Sequence, residues 1–286
     1  MKATSKIGAH VSIAGGVDKA PARAAEIGCE TFQCFTRSPQ GGPAPALTDE
    51  IIANFKSEMK SFDFDRFHIH TPYYLNFAST KNHLRKFSGE VLREELDRGT
   101  LLGAKFVMTH LGSHADQTLK EGMDKVAETL KETLTGYKGS TELLLEISAG
   151  SGNIIGASFE EIGEIIQKVN GNLPPHSSMS VGVCFDTCHA FASGYDFRTK
   201  ETARAMLADF DKHIGLHWLK LTHVNDSMFD LADKRDRHEH IGKGFIGKEG
   251  MAELLKTPEF VKIDWIVETP DDDRENDIEI LKKIRG

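Results

Sequence analysis

Six residues of the kinds that bind metal ions recur every 40 or so residues from position 70 onward, about the length of one strand, one helix and their connections. Each stands at the end of a short apolar run, and the six are His70, His110, Glu146, Asp186, His223 and Glu268. A single residue of this kind is as often a helix cap or a hydrogen-bonded loop residue as a ligand. Six in succession are much harder to obtain by accident, so we interpret them as one set.

Three further ligand candidates lie near Asp186 and His223 in sequence. His189 follows Asp186 by three positions, and Asp236 and His238 lie in a long irregular connection over residues 226–244. Residues at i and i+2 of an extended segment face the same way, so Asp236 and His238 are able to hold one ion together. Imidazole and carboxylate without thiolate suit Zn²⁺ best, with Mn²⁺ or Fe²⁺ as alternatives.

The elements that carry these residues alternate between strand and helix. The sequence pattern predicts strands over residues 6–11, 31–35, 66–70, 105–110, 142–147, 181–186, 219–224 and 265–269. It predicts helices over residues 17–27, 47–61, 84–102, 119–134, 158–169, 199–214, 248–255 and 272–284. Eight such units predict an α/β protein with a (β/α)₈ TIM barrel, formed as a single domain over residues 1–286. The competing fold is an open doubly wound sheet, which the lack of a GxGxxG motif after the first strand disfavours.

The barrel explains how residues so distant in sequence come together. The carboxyl ends of all strands of a TIM barrel meet on one face, so the strand-end residues become neighbours there. Several carboxylates in one partly buried bowl would repel one another strongly, and divalent cations are the simplest remedy. We therefore expect a metal site at the C-terminal face of the strands.

The remaining histidines have more ordinary interpretations. His68 lies deeper on the same strand as His70, and we expect it to be packed or hydrogen-bonded. We expect His10 to lie beside the site, and His114 and His240 to lie at the surface or behind the ligands.

Composition narrows the classes of protein. A net charge of -8 argues against a general nucleic-acid binder, which usually has a basic surplus, so a DNA-binding role needs a local basic patch. The four cysteines form no CxxC pair, and we expect them, Cys188 included, to be reduced and packed. No apolar run reaches the ~18 residues of a membrane span, and residues 1–10 lack the apolar core of a signal peptide. We expect a cytoplasmic protein without a membrane segment.

Eight motifs spread over nearly the whole chain carry a family resemblance. They are IGAHVSIAGG (7–16), HTPYYLNFAS (70–79), THLGSH (109–114), LLLEISAG (143–150), VCFDTCHAFASGYD (183–196), HVNDS (223–227), KRDRHEHIGKGFIG (234–247) and VETP (267–270). In combination they resemble the endonuclease IV family, the apurinic/apyrimidinic endonucleases among the xylose isomerase-like barrels.

The resemblance implies three zinc ions per chain, with Mn²⁺ or Fe²⁺ possible at some of the sites. His70, His110 and Glu146 would hold the first ion, and Glu146 would bridge to a second held also by Asp186, His223 and Glu268. His189, Asp236 and His238 would hold the third. Glu146, Asp186 and Glu268 would be the catalytic carboxylates, because they hold the ions that activate water.

The reaction that the resemblance implies is a step of DNA base excision repair. It is hydrolysis of the phosphodiester 5′ to an abasic site in duplex DNA, leaving a 3′-hydroxyl and a 5′-deoxyribose phosphate. Arg37 and Tyr73 would contact the DNA from the loops after the second and third strands. The loop over residues 36–45 carries fewer basic and aromatic residues than is usual in the family. A monomer without an obligate protein partner is expected.

Two other kinds of protein fit part of the pattern. A sugar isomerase or epimerase of the same superfamily would need one cation, held by Glu146, Asp186, His223 and Glu268, and would leave the other candidates unexplained. A metal-dependent binding protein with a degraded barrel site would nick no abasic DNA at any metal loading.

Overall fold

The computed structural model describes residues 5–171 and 180–286 of the chain. The barrel strands within them are β1 Ile7–Val11, β2 Thr31–Cys34, β3 His68–His70, β4 Phe106–Thr109, β5 Glu142–Glu146, β6 Val181–Asp186, β7 Leu219–His223 and β10 Asp264–Val267. They are parallel and close into a barrel in the order β1-β10-β7-β6-β5-β4-β3-β2. Closure confirms the predicted TIM barrel and excludes the open doubly wound sheet.

The described helices follow the strands in sequence and cover the outside of the barrel. They are α1 Ala20–Glu26, α2 Asp49–Ser61, α3 Asn82–Leu102, α4 Leu119–Leu134, α5 Phe159–Asn170, α6 Thr187–Ser193, α7 Lys200–His213, α8 Gly247–Leu255 and α9 Arg274–Arg285. Each predicted strand and helix is present, with its ends shifted by at most three residues. None of the described helices is both long and apolar enough to cross a lipid bilayer.

The sequence pattern did not predict helix α6. It spans Thr187–Ser193, directly after β6, and is too short to show a helical period. The side chain of Asp186 accepts a hydrogen bond of 2.8 Å from the backbone N–H of His189 and so caps the helix. This turn brings His189 back toward the end of β6.

The barrel interior is filled by buried side chains from alternate positions of the strands. The side chains that form this interior cluster are Phe106, Met108, Leu144, Cys184, Leu221 and Ile266. The cysteines are free, as predicted, and burial raises the pKa of the Cys184 thiol to about 12. At Gly8 a Cβ atom would lie 1.7 Å from the carbonyl oxygen of Thr31, so the close pairing of β1 with β2 requires glycine.

The connection after β7 is longer than the others and contains its own hairpin. Strands β8 Asp226–Ser227 and β9 His238–Glu239 pair antiparallel in a separate sheet. The buried carboxylate of Asp226 accepts hydrogen bonds from the backbone N–H groups of Gly242 at 2.9 Å and Ile246 at 2.9 Å. Asp226 therefore closes the loop that carries Asp236 and His238.

Candidate metal centre

The predicted ligands stand where the barrel strands end. His70, Glu146, Asp186 and His223 are the last residues of β3, β5, β6 and β7. His110 and Glu268 directly follow β4 and β10. Because the strands are parallel, all six side chains meet at the C-terminal face of the barrel, as expected.

The nine ligand candidates converge into three adjacent groups. These groups are His70, His110 and Glu146; Glu146, Asp186, His223 and Glu268; and His189, Asp236 and His238. Within each group one nitrogen or oxygen atom of every residue lies within 4.8 Å of the others. Glu146 belongs to two groups because its Oε2 lies 3.0 Å from His70 Nε2, while its Oε1 lies 2.9 Å from His223 Nδ1.

The distances between these atoms suit a tetrahedral cation. Bonds of ~2.0–2.1 Å at tetrahedral angles place ligand atoms about 3.3–3.4 Å apart. In the third group, Asp236 Oδ1 lies 3.1 Å from His189 Nε2 and 3.4 Å from His238 Nε2. Both imidazole nitrogens are buried and face the Asp236 carboxylate, so a cation placed between the three atoms would meet all of them.

Backbone carbonyl groups orient three of the histidines. His70 Nδ1 donates a hydrogen bond of 2.6 Å to the carbonyl oxygen of Thr71. His189 Nδ1 donates to that of Ile147 at 2.9 Å, and His238 Nδ1 donates to that of Glu268 at 3.3 Å. A proton on Nδ1 leaves the lone pair of Nε2 pointing into the cluster. The backbone thus selects the tautomer that a metal ligand needs.

Neighbouring imidazoles lower the pKa of two acids of the cluster, Glu146 and Asp236. Burial alone would raise the pKa of Glu146, but His110 and His223 outweigh it and hold that pKa well below its usual range. The pKa of Asp236 falls to about 2, because the contact with His189 outweighs its burial. These negative charges are balanced by protons on imidazoles, which bound cations are able to replace.

A cavity of about 420 Å³ adjoins the cluster and opens to solvent. Besides the ligands, its wall includes Tyr73, Arg237, Thr269, Pro270 and Arg274. Arg274 donates hydrogen bonds to the carbonyl oxygens of His10 and Thr269, which hold it in the wall. Arg274 Nη1 also lies 2.6 Å from Asp271 Oδ1, so its charge is paired, and the positive charge that the cavity offers a substrate is that of Arg237.

Comparisons with known proteins show which family this barrel belongs to. Residues 21–284 match the family described as xylose isomerase-like TIM barrel. The chain is 39% identical to the probable endonuclease 4 of Nitrosopumilus maritimus, over 98% of this chain and 99% of that protein. It is 37% identical to the probable endonuclease 4 of Halothermothrix orenii, over 98% and 99% of the two chains. The crystal structure of endonuclease IV from Thermus thermophilus superimposes with a TM-score of 0.81 at 30% identity, covering 98% of this chain and 97% of that one.

The chain belongs to the endonuclease IV family. It is therefore an enzyme of the nuclease and hydrolase class.

Endonuclease IV shares its barrel with proteins of other kinds. A D-tagatose 3-epimerase-like protein superimposes with a TM-score of 0.74 at 20% identity, covering 98% of this chain and 96% of that one. A likeness at that identity shows a common fold and carries nothing about the reaction.

In this member of the endonuclease IV family, Arg37 does not lie where we expected it. The side chain is 3% exposed, although we expected it to contact DNA. Its Nε donates to Glu95 Oε1 at 2.6 Å, and its Nη2 lies 2.7 Å from Glu94 Oε2. Two carboxylates of α3 hold the guanidinium inward, so it is not offered to a phosphate. Tyr73 is 61% exposed at the mouth of the barrel, where a role in DNA contact stays a prediction.

Two residues that the sequence reasoning missed support the ligands. Gln33 lies fully buried in β2 and contacts His223 and Glu268. Asn225 donates to Asp186 Oδ2 at 2.8 Å, and its Oδ1 accepts from the backbone N–H of Glu268 at 2.8 Å. An amide in the middle of the buried strand TFQC was the available signal for Gln33.

The other singled-out residues behave mostly as expected. His68 is buried and stacks on Phe106, and His10 accepts a hydrogen bond from Gln33 beside the site. His240 is 6% exposed rather than at the surface, because Asp277 binds its Nδ1 at 2.7 Å. The Cys188 thiol is packed, and burial raises its pKa to about 12.

Proposed function

We propose that this enzyme hydrolyses the phosphodiester 5′ to abasic sites in duplex DNA, leaving a 3′-hydroxyl and a 5′-deoxyribose phosphate. The observation that carries the proposal is the convergence of nine ligand-type residues into three groups joined through Glu146. Relatives named endonuclease 4 and the Thermus thermophilus endonuclease IV structure support the same reaction class.

The proposal includes three zinc ions. One would be held by His70, His110 and Glu146, one by Glu146, Asp186, His223 and Glu268, and one by His189, Asp236 and His238. Bound there, divalent cations would lower the pKa of water and offset the negative charge that develops on phosphate oxygens. The donor set of imidazoles and carboxylates, with Cys188 protonated, favours zinc over the softer metals.

The protein's own contribution is placement. The rigid strand ends hold Glu146, Asp186 and Glu268, the proposed catalytic carboxylates, in fixed positions around the phosphate site. Backbone carbonyls fix the imidazoles of His70 and His189, and the buried amide of Asn225 fixes the carboxylate of Asp186, before any cation arrives. Little rearrangement is then needed when the substrate binds.

Recognition is proposed to depend on DNA shape. An abasic site presents no base edge, and the lost stacking makes the DNA easy to kink or the nucleotide easy to flip. Tyr73 is the exposed aromatic residue at the mouth, and Arg237 lies in the cavity wall. We assign the phosphate-facing charge to Arg237 rather than to Arg37, because Arg37 is buried against Glu95.

The sugar isomerase or epimerase alternative accounts for fewer residues. It would use the group formed by Glu146, Asp186, His223 and Glu268 and leave the other two groups idle. His189 and His238 are nevertheless oriented by carbonyl groups with Nε2 aimed at Asp236. A cluster built in this detail favours the nuclease.

The test combines elemental analysis with a nicking assay. The substrate is a duplex with one central tetrahydrofuran abasic analogue, which cannot undergo β-elimination, so any cleavage reports hydrolysis. We expect about three zinc ions per chain, a nick on the 5′ side, and a 3′ end that a polymerase extends. The undamaged duplex of the same sequence is the control and should stay intact. Failure of the zinc-loaded enzyme to nick, or about one ion with turnover of a ketose, would overturn the proposal.

A further inference from the structure

Gln33 is a polar residue in the middle of an apolar strand. All four residues of β2 are fully buried, and Gln33 is the one with a side-chain amide. An amide removed from water costs free energy unless its hydrogen-bonding groups find partners. The partners of Gln33 therefore show what this residue does.

The amide of Gln33 reaches three residues at the mouth of the barrel. Its Nε2 donates to Glu268 Oε1 at 2.6 Å and to His10 Nδ1 at 2.9 Å. Its Oε1 accepts from His223 Nε2 at 2.8 Å. Gln33 thus joins β2 to the ends of β7 and β10, which lie on the other side of β1 in the barrel.

The carboxylate of Glu268 fixes which way the amide points. An ionised carboxylate only accepts hydrogen bonds, so it must face the NH₂ group of Gln33. The oxygen of Gln33 then faces His223 Nε2, which must carry a proton to bind it. His223 Nδ1 faces Glu146 Oε1, 2.9 Å away, and Glu268 Oε2, 3.2 Å away, so Nδ1 is the nitrogen whose proton a bound cation would replace.

His223 differs in this respect from three other histidines of the cluster. Backbone carbonyls orient His70, His189 and His238 through Nδ1, so that Nε2 faces the carboxylates of the cluster. At His223 the roles of the two nitrogens are reversed, and a side chain rather than the backbone selects the tautomer. That selection is open to mutation, whereas a backbone carbonyl is not.

We propose that Gln33 is a positioning residue that holds His223 in the Nε2–H tautomer and Glu268 in its ligand rotamer. It would thereby set the affinity of the group formed by Glu146, Asp186, His223 and Glu268 for its cation. The inference rests on the proposed metal function, and its test reads metal and tautomer without DNA.

The main variant is Gln33→Met, which keeps the length of the side chain and removes the three hydrogen bonds. Thr31→Val is the matched control, because Thr31 is equally buried on β2 but bonds the carbonyl oxygen of Arg66 at the opposite end of the barrel. Zinc affinity is measured by competition with a chromophoric chelator. Loss of an outer hydrogen-bond partner typically weakens metal binding 10–100-fold, and we expect about that loss for one ion, with the other two unchanged. We expect kcat on abasic DNA to fall with KM unchanged, and the control to match the wild type in both.

A second measurement begins with the wild type, so its first result does not depend on a variant folding. Long-range ¹H–¹⁵N spectra of the zinc-loaded wild type should show the His223 proton on Nε2 and a metal-bound Nδ1. In Gln33→Met the same signals should broaden or shift. A wild-type His223 without a proton on Nε2, or a variant with wild-type zinc affinity and spectrum, would overturn the role of Gln33. A wild type that binds zinc in this way but does not nick abasic DNA would instead refute the proposed function alone.

Discussion

The two ends of the barrel use the same residue types in different ways. Strand β3 begins with His68 and ends with His70, and both side chains are buried. At the base, His68 Nε2 lies 3.3 Å from Asp264 Oδ2, and Arg66 donates two hydrogen bonds of 2.7 Å to the same carboxylate. At the mouth, His70 lies 3.0 Å from Glu146, whose ion-pair partners are all histidines: His70, His110, His189 and His223.

The difference lies in what balances the carboxylate. The guanidinium of Arg66 is permanently charged, so the base holds a complete ion pair that needs nothing from solution. The acids of the mouth are balanced only by imidazoles, which give up their protons when cations bind. The ion pair at the base therefore stabilises the fold, whereas the acids and imidazoles at the mouth are available to bind cations. In TIM barrels the N-terminal face usually serves stability and the C-terminal face usually carries the active site.

Glu146→Gln is expected to have the largest effect, because it removes the residue that joins the group of His70 and His110 to the group of Asp186, His223 and Glu268. The amide keeps the shape but loses the charge and one metal-binding oxygen. Nicking of abasic DNA should fall by about 10³-fold or more, as when a main electrostatic stabiliser is removed from an active site. The zinc content should fall by at least one ion, measured by elemental analysis after dialysis.

His213→Ala is the matched control for that prediction. Glu160, Asp209 and His213 form another group of ligand-type atoms within 4.8 Å, on the surface between α5 and α7. His213 lies 3.3 Å from Glu160 and 3.4 Å from Asp209, but both acids are exposed. Zinc content and nicking should therefore match the wild type. A loss of zinc as large as that of Glu146→Gln would show that proximity alone makes a site, and the comparison of the two ends would fail.

Asp264→Asn should produce the opposite result at the base. The substitution removes the anion that Arg66 and His68 share, and breaking such a pair should cost about 2–3 kcal/mol of the free energy of unfolding, given that Arg66 is partly solvated. Urea denaturation of the metal-free protein measures this loss. Zinc content and kcat should stay unchanged, and a fall in either one would mean that the base is coupled to the mouth.

The pair of Arg66 and Asp264 should also make the stability of the protein depend on pH in the acid range. Burial alone would raise the pKa of Asp264, but the hydrogen bonds from His68 and Arg66 outweigh it and hold the pKa well below its usual range. A depressed folded-state pKa gives stability that is complete above the unfolded value of about 4 and is lost as the pH falls toward the folded value. The unfolded pKa of Asp264 lies within about pH 5 to 3, and its folded pKa lies lower. Over that range the free energy of unfolding of the metal-free wild type should fall more steeply with decreasing pH than that of metal-free Asp264→Asn. If the free energy of unfolding fell equally steeply with pH in both proteins, Asp264 would not be the source of the acid sensitivity.

The convergence of the strand-end ligand candidates could be predicted from the sequence, because in a parallel barrel the position of a residue along its strand determines which face of the barrel it reaches. A residue such as Glu146 or Asp186 at the end of a buried strand has one destination once the barrel is assumed. The loop pair Asp236 and His238 followed from spacing of two in an extended segment, and the structure places both beside His189.

The supporting residues could not be predicted in the same way. The contacts of Gln33 depend on the side-chain rotamers of β7 and β10 neighbours, which periodicity does not contain. Arg37 shows the converse error, since its place in a loop after β2 indicated exposure while Glu95 of α3 draws it inward. Position along a strand sets where a backbone lies, and the partners of a charged side chain decide which way it turns.

Tyr73→Ala should have the smallest effect and tests whether DNA meets only the mouth. Tyr73 is 61% exposed, and its ring lies 5.5 Å from those of Phe35 and His70, so the substitution removes ring contacts at the mouth without opening the core. Stacking against a base is worth ~1–3 kcal/mol, and we expect KM for abasic duplex DNA to rise about tenfold with zinc content unchanged. Lys105→Ala, at the base beside Phe106, is the control and should leave KM unaltered. Equal increases in KM for both variants would show that DNA binds nonspecifically over the whole surface. The mouth would then not be a DNA-binding face distinct from the base.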